Sequence, residues 1–269
     1  MRIGYLQFRP EFGAVESNLR RARELLGEER ADLWVLPELF STGYQFTSPR
    51  EVRELAEPVP EGPTTQALLA WARQWSCYIA AGLAEVTPQG AYNSAVLVGP
   101  QGLLLRYRKA HLFYREKEHF LPGDTGFQVA EAGGAWVGLM VCFDHLFPEA
   151  ARTLALKGAQ IIAHPANLVL PGLAQLTMRV RALENRVFTV TANRIGEEQR
   201  GGESLRFTGQ SQIVSPRGEV LASSGEEAEE AVAVEIDPAI ALDKRVTPLN
   251  DLLADRRVEL YELGASPGG

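Results

Sequence analysis

The chain is poor in cysteine and in long apolar runs, and each shortage excludes a class of protein. Two cysteines in 269 residues do not make a disulfide framework, so we expect a reducing, cytoplasmic setting. No apolar run approaches the roughly 20 residues of a membrane span, so we expect no membrane association. Residues 1–8 lack the apolar segment of a secretory signal, which agrees with that location.

Basic blocks are absent as well. The formal net charge is −7, and we therefore predict no nucleic-acid partner. Lysine is scarce among the 27 basic residues, so a lysine is a candidate for chemistry that arginine cannot perform. The four histidines show no zinc-site spacing, and we expect no metal. The lysines are Lys109, Lys117, Lys157 and Lys244, and the histidines are His111, His119, His145 and His164.

Short apolar runs alternate with helical patterns along the chain, which indicates an α/β protein with mixed sheets. Apolar spacing predicts helices over residues 15–26 and 64–76, and a further helix is predicted over 173–185. Capping-box spacing predicts a short helix from Ser48. Turn residues predict a hairpin at 215–218, and a last helical stretch is predicted near 252–263. Predicted strands cover 2–8, 32–36, 77–85, 92–98, 103–108, 135–141, 159–163, 187–192 and 231–236.

Cys142 follows the apolar run 135–141, which predicts a buried strand, and precedes a helix start marked by Pro148. A thiol near a helix N-terminus is favoured as thiolate by the peptide dipoles. The thiolate is the nucleophilic form, so this position suits covalent catalysis. The alternative is a small buried apolar residue, which is also our interpretation of Cys77.

Glu38 and Lys109 also follow directly on predicted strands. Ligands of α/β sheets gather at the carboxyl ends of strands, so both side chains are expected to converge there with Cys142. Together the three supply a nucleophile, a base and a cation for an oxyanion. Taken singly, residues such as Glu38 and Lys109 are most often solvated loop residues. Burial raises and Lys109 lowers the expected pKa of Glu38, and the sequence leaves open which effect dominates.

The segments around these residues resemble the carbon–nitrogen hydrolase (nitrilase) superfamily, in the family's order Glu, Lys, Cys. The resemblance extends over residues 1–257. Its motifs are Leu36-Pro37-Glu38-Leu39-Phe40, Tyr107-Arg108-Lys109-Ala110-His111-Leu112, Val141-Cys142-Phe143-Asp144 with Pro148-Glu149, residues 116–124 and 181–185, and Ala192-Asn193-Arg194.

The resemblance implies a four-layer α-β-β-α sandwich with two mixed sheets, formed by one domain over residues 1–269. It implies neither a metal nor another cofactor. By the same analogy we expect a homodimer or higher homo-oligomer, with the helix after Cys142 and the helix at 173–185 in the interface.

The resemblance also implies catalytic roles. Cys142 would attack the carbon of an amide, ureido or nitrile group, and Glu38 would act as general base. Lys109 would stabilise the oxyanion together with the backbone N–H of Phe143. The second family glutamate falls on Glu116, where it would orient Lys109 or the substrate, with Glu118 as the alternative.

Four further residues are candidates for substrate binding, and each has a structural alternative. The aromatic side chains could simply pack in the core, and the asparagine could be a turn former. Arg115, Lys117 and Arg194 could meet an anionic substrate group, although surface solvation is favoured for the first two. The four candidates are Phe143, Asn167, Phe113 and Tyr44.

The function predicted first is hydrolysis of small linear amides or N-carbamoyl compounds, with release of ammonia through a thioester. Cys142-Phe143-Asp144 and residues 114–127 resemble the amidase and carbamoylase branches. An aliphatic nitrilase is the alternative, because nitrile hydrolysis needs the same three groups. A non-catalytic binding or assembly subunit is a remote third hypothesis, since a scaffold has no need for all three groups.

Overall fold

The computed structural model describes residues 1–261, in which two six-stranded sheets pack face to face between outer helices. In chain order the elements are β1 (Arg2–Gln7), α1 (Val15–Leu26), β2 (Leu33–Val35), α2 (Pro49–Leu55), α3 (Pro63–Trp75), β3 (Tyr78–Thr87), β4 (Gly90–Gly99), β5 (Gly102–Arg108), α4 (Glu116–His119), β6 (Val129–Ala132), β7 (Ala135–Leu139), α5 (Pro148–Leu156), β8 (Ile161–Pro165), α6 (Leu173–Asn185), β9 (Phe188–Ala192), β10 (Ile195–Arg200), β11 (Glu203–Thr208), β12 (Gln212–Val214), β13 (Val220–Ser223), β14 (Glu230–Glu235), β15 (Arg245–Thr247) and β16 (Asn250–Asp251).

Both large sheets are mixed. The first has the order β14-β1-β2-β3-β4-β5, with β1, β2 and β3 parallel and the remaining neighbours antiparallel. The second has the order β13-β12-β9-β8-β7-β6, with β7, β8 and β9 parallel. The predicted fold class is therefore confirmed.

Strand side chains alternate between two apolar layers, which explains the nearly continuous apolar runs. In β2, Leu33 and Val35 pack between the sheets, whereas Trp34 packs beneath α1 and α3. On the other outer face, α5 packs on the second sheet around Leu154 and Ile162. These layers give the order helix, sheet, sheet, helix.

The topology places the carboxyl ends of several strands close together. Strands β2 and β3 are parallel, whereas β4 is antiparallel to both β3 and β5. The chain therefore leaves β2 and β5 at the same end of the first sheet. In the second sheet, β7 and β8 are parallel and also end together. Glu38, Lys109, Cys142 and Asn167 are the polar residues that follow these four strand ends.

The predicted helix near residues 252–263 is wrong over its described part. After the β15–β16 hairpin, the described part of that segment forms a turn at 252–255 and a short 3-10 helix at Val258–Leu260, while residues 262 and 263 lie outside the described residues. Asp251 Oδ1 accepts hydrogen bonds from the N–H groups of Leu253 and Ala254. A side chain that binds nearby N–H groups competes with a helical ladder.

Other differences are smaller. The strand predicted over 135–141 ends at Leu139, and a 3-10 helix at Cys142–Leu146 precedes α5. The β10–β11 hairpin and β6 were not predicted. Among the helices of residues 1–261, none has both the length and the apolar composition that crossing a membrane requires.

Candidate active site

Glu38 lies just beyond β2, where the chain turns sharply at Leu39, whose φ is 48°. Gly82 of β3 packs directly against this turn, and its N–H donates to Pro37 O over 3.1 Å. A Cβ added at Gly82 would lie 2.5 Å from Glu38 Cα and 3.0 Å from Leu39 N. Glycine is therefore required here because the backbone of Glu38 occupies the space of a side chain.

Replacing Gly82 by alanine should destabilise the protein by about 1–3 kcal/mol, because one of two packed backbones must move. Urea denaturation measures the change. Gly225→Ala is the matched control, since a Cβ at Gly225 meets no heavy atom within 4 Å. Equal free energies of unfolding for the two variants would contradict the prediction.

Lys109 is fully buried and lies between two carboxylates. Its Nζ donates to Glu38 Oε1 over 2.7 Å and to Glu116 Oε1 over 2.8 Å. Asn93 Nδ2 also donates to Glu38 Oε1 over 2.7 Å. Glu38 Oε2 accepts no hydrogen bond from the described residues. A buried acceptor without a partner is rare, so this oxygen is available to a ligand or to a transferred proton.

Glu116 is the first residue of α4 and its carboxylate is held by two further donors. Tyr44 Oη donates to Glu116 Oε1 over 2.7 Å, and the N–H of Phe113 donates to Oε2 over 3.1 Å. Glu118, the alternative, is exposed and pairs with Arg115. Among the two glutamates, only Glu116 reaches the buried lysine.

Cys142 begins the 3-10 helix with a φ of 43°, a left-handed conformation that costs a non-glycine residue about 1–2 kcal/mol. Its Sγ donates to Asn167 O over 3.7 Å. Asn167 Nδ2 donates to the backbone O of Glu38 over 2.9 Å. Asn167 therefore links the loop of the thiol to the loop of the carboxylate.

Burial determines the protonation states of the site. It raises the pKa of the Cys142 thiol well above its usual value, and the Glu38 carboxylate adds to this effect. Our expectation of a helix-stabilised thiolate is thus wrong, because Cys142 is buried and only a five-residue 3-10 helix follows it.

The carboxylate and the ammonium respond differently. Burial raises the pKa of Glu38 to about 6 and outweighs the opposing charge of Lys109. For Lys109, burial lowers the pKa, but the charges of Glu116 and Glu38 more than offset it and the net direction is upward. At neutral pH the site therefore combines a neutral thiol, an ionised Glu38 and a charged Lys109.

A small apolar pocket opens beside Cys142 and includes three of the four predicted binding residues. Its lining residues are Phe113, Phe143, Leu146, Asn167, Leu168, Val169, Leu170 and Ala174, with His145 at one side. The fourth, Tyr44, lines an adjoining pocket with Phe113 and Glu116.

None of the three cations considered for an anionic substrate lines the pocket beside Cys142. Arg115 donates to Glu203 on the surface, and the buried Arg194 pairs with Glu198. Lys117 is exposed. Within residues 1–261, no group of three His, Cys, Asp or Glu side chains is arranged to hold a metal ion.

Asn93 and His164, both fully buried in apolar strands, were not predicted as residues of the site. A buried amide or imidazole needs a polar partner, so a polar residue inside an apolar run was the available signal. Asp144 was likewise not predicted to hold the backbone before Cys142. Its carboxylate accepts from Tyr107 Oη over 2.7 Å and from Val141 N over 2.9 Å.

Comparison with known proteins decides the family, since residues 2–244 match the carbon-nitrogen hydrolase model. The chain belongs to the carbon-nitrogen hydrolase family. It is 50% identical over 264 residues to a nitrilase of Pyrococcus abyssi, a match that covers 97% of this chain and 99% of that one. An (R)-stereoselective amidase of Pseudomonas sp. is 36% identical, with 97% and 93% covered.

Solved structures agree with this hydrolase fold. An amidase from Nesterenkonia sp. AN1 has a TM-score of 0.79 at 28% identity, with 97% of this chain and 98% of that chain covered. The carbon-nitrogen hydrolase from Helicobacter pylori G27 has a TM-score of 0.83 at 29% identity, with 97% of each chain covered. The prediction of a hydrolase is therefore confirmed, and the hypothesis of a non-catalytic subunit is set aside.

Proposed function

We propose that this hydrolase cleaves small, uncharged linear amides through a thioester on Cys142. The observation that carries the proposal is the buried set of thiol, carboxylate and ammonium, in which Glu38 Oε2 accepts no hydrogen bond from the described residues. The solved amidase from Nesterenkonia sp. AN1 is described with acrylamide added at its active-site cysteine, which supports a thiol nucleophile here.

In the first half-reaction, Cys142 Sγ attacks the amide carbon while its proton passes to Glu38. A thiol with a raised pKa gives up its proton only as the bond forms, and the nearby carboxylate receives it. The charge developing on the amide oxygen would be stabilised by Lys109 Nζ and the N–H of Phe143. Glu38 then returns the proton to the departing nitrogen, and ammonia leaves.

In the second half-reaction, Glu38 takes a proton from water, and the hydroxide adds to the thioester carbon. Collapse of that adduct expels the Cys142 thiolate, which recovers the proton from Glu38. The balance is one amide and one water converted to one carboxylic acid and one ammonia. Glu116 acts through Lys109 and Tyr44 in this scheme, because its carboxylate contacts both.

The pocket beside Cys142 supports a substrate without charge. Its walls are mainly aliphatic and aromatic, and none of its lining residues carries a full charge at neutral pH. Burying an unpaired charged group there would be unfavourable. Substrates with a distal ammonium group, such as the N-carbamoylputrescine for which a relative of Solanum lycopersicum is named, are therefore less favoured than neutral amides.

A second candidate is hydrolysis of aliphatic nitriles. It is favoured by the 50% identity with the nitrilase of Pyrococcus abyssi. Cys142 would add to the nitrile carbon with proton transfer to the nitrogen, giving a thioimidate. One water then releases ammonia and leaves the same thioester, and a second water releases the acid. The pocket does not separate the two candidates, because both substrates are small and uncharged.

Ammonia release distinguishes the candidates. Matched panels of aliphatic amides, ω-amides of dicarboxylic acids, N-carbamoyl amines and aliphatic nitriles should be assayed with wild type and Cys142→Ala. We expect turnover of aliphatic amides that falls by about 10⁴-fold or more in the variant. Turnover of nitriles alone would favour the second candidate. The matched control is Cys77→Ala, which removes the other free cysteine, and retained activity in Cys142→Ala would contradict both.

We also propose a homo-oligomer that works in the cytoplasm. The outer face of α6 exposes three apolar side chains, Leu176, Val180 and Leu183, and α5 ends with the exposed Leu156. Such a cluster on two neighbouring helices is typical of an interface. Sedimentation at micromolar concentration should show at least a dimer that Leu176→Glu weakens, and a stable wild-type monomer would contradict this.

A further inference from the structure

His164 contacts the backbone of Cys142 from inside the second sheet. The imidazole is fully buried in β8, and its Nε2 lies 2.9 Å from the carbonyl oxygen of Cys142. Its Nδ1 lies 3.1 Å from Thr191 Oγ1 on β9. Because a carbonyl oxygen only accepts, Nε2 carries the proton and donates it to Cys142 O.

The carbonyl of Cys142 sets the tautomer of this ring, and the Thr191 hydroxyl holds the other ring nitrogen. Burial lowers the pKa of His164 to about 4, so the imidazole is neutral near pH 7. A neutral ring protonated at Nε2 leaves Nδ1 as an acceptor, and the Thr191 hydroxyl must donate to it. The chain of donors therefore runs from Thr191 to His164 to the carbonyl of Cys142.

The carbonyl of Cys142 and the N–H of Phe143 belong to one peptide unit. In a planar trans peptide the two bonds point in opposite directions. Holding the carbonyl against His164 therefore directs the Phe143 N–H toward the opposite side, the N-terminal end of the 3-10 helix. The first N–H groups of a helix have no intrahelical partner, so this donor is free for a ligand.

The backbone around Cys142 needs such support. Its φ of 43° is unfavourable, and the 3-10 helix that follows has only five residues. Hydrogen bonds in a 3-10 helix are poorly aligned, so the turn by itself holds the peptide weakly. A strained conformation persists only where surrounding groups determine it.

We propose that His164, oriented by Thr191, is a positioning residue that aims the Phe143 N–H at the developing oxyanion. The proposal rests on the proposed function, in which Cys142 is the nucleophile. It predicts a defect in the step that forms an oxyanion and no defect in the reactivity of the thiol itself.

Amide hydrolysis should be compared in His164→Leu, His164→Gln and Thr191→Val. We expect kcat to fall about 100-fold in His164→Leu and about tenfold in Thr191→Val, with KM changed less than about threefold. His164→Gln keeps an amide donor for Cys142 O and should recover most of the loss. Thr189→Val is the matched control, since Thr189 is buried on the same strand and its hydroxyl donates to Met178 O over 3.5 Å, away from His164.

Alkylation of Cys142 by iodoacetamide separates positioning from a general structural effect. The thiolate sulfur forms a bond to carbon while iodide leaves, and no oxyanion develops. We expect the alkylation rates of the variants to match wild type. A loss of alkylation in parallel with hydrolysis would overturn the proposal, because His164 would then act on the thiol or on folding.

The Thr191→Val and Thr189→Val pair decides the question even where His164→Leu does not fold. Equal kcat values in this pair would overturn the inference and leave the proposed function standing, provided that Cys142→Ala is inactive. Activity retained in Cys142→Ala would instead overturn the proposed function and the inference with it.

Discussion

Replacing Glu38 by glutamine should lower kcat for amide hydrolysis by about 10³- to 10⁴-fold, because the general base is lost. Glutamine keeps an oxygen that accepts from Asn93 and Lys109, so the fold should be retained. Glu116→Gln serves as the control, since it changes the other carboxylate on the same lysine. An equal loss in both variants would contradict the assignment of the base to Glu38.

The pH profile provides an independent check on Glu38. Burial raises its pKa to about 6, and a base must be ionised, so wild-type kcat/KM should rise as pH increases through about 6. The residual activity of Glu38→Gln should lack this rise. A wild-type profile that is flat from pH 5 to 8 would contradict the assignment.

The same group affects stability in the opposite sense. The pKa of Glu38 in the folded protein lies above the unfolded value of 4.5, so the folded state binds the proton more tightly. The stability that this adds is fully present below pH 4.5. That contribution is lost as pH rises through about 6, where the buried carboxylate becomes charged. Glu38→Gln should therefore gain stability relative to wild type above pH 6, as measured by thermal unfolding.

Lys109→Met should abolish most activity and also destabilise the fold. The variant leaves Glu38 and Glu116 buried without their cation, and breaking a buried ion pair in this way costs about 3–5 kcal/mol. The oxyanion donor is lost as well, which lowers kcat by a further factor of about 10²–10³. Urea denaturation at pH 8 and ammonia release measure the two effects.

Three controls test the cause of the instability. The loss should shrink as pH falls through about 6, because the Glu38 carboxylate becomes neutral and needs no cation. Adding Glu116→Gln to Lys109→Met should restore part of the stability and none of the activity. Lys157→Met, at an exposed lysine, should leave both unchanged. A destabilisation that does not depend on pH would contradict the electrostatic explanation.

Local signals predicted most helices and strands well. The helix predicted at 15–26 matches α1, because apolar periodicity continues over its three turns, and the one predicted at 173–185 matches α6. Ser48 caps α2 by accepting from Glu51 N over 3.3 Å, as the capping box indicates. The helix predicted near 252–263 does not form because the Asp251 side chain accepts from backbone N–H groups of the turn, which competes with helical hydrogen bonds.

The candidate site was only partly predictable. Three residues could be named because each directly follows a strand, and strand ends collect at one edge of a sheet. The resemblance placed the second glutamate at Glu116 and kept Glu118 as the alternative, and the path of the loop after β5 brings Glu116 to Lys109. Asn93 and His164 lie inside strands, where the sequence shows their polarity and not their partners.

By itself the sequence determined the α/β class, the family and the order of Glu38, Lys109 and Cys142, because these follow from local patterns. Tertiary structure alone decided which glutamate meets the lysine and which groups hold the Cys142 peptide. It also decided the protonation states, since burial outweighs Lys109 at Glu38 and raises the pKa of the thiol. Burial and distance depend on the packing of both sheets, which no local segment contains.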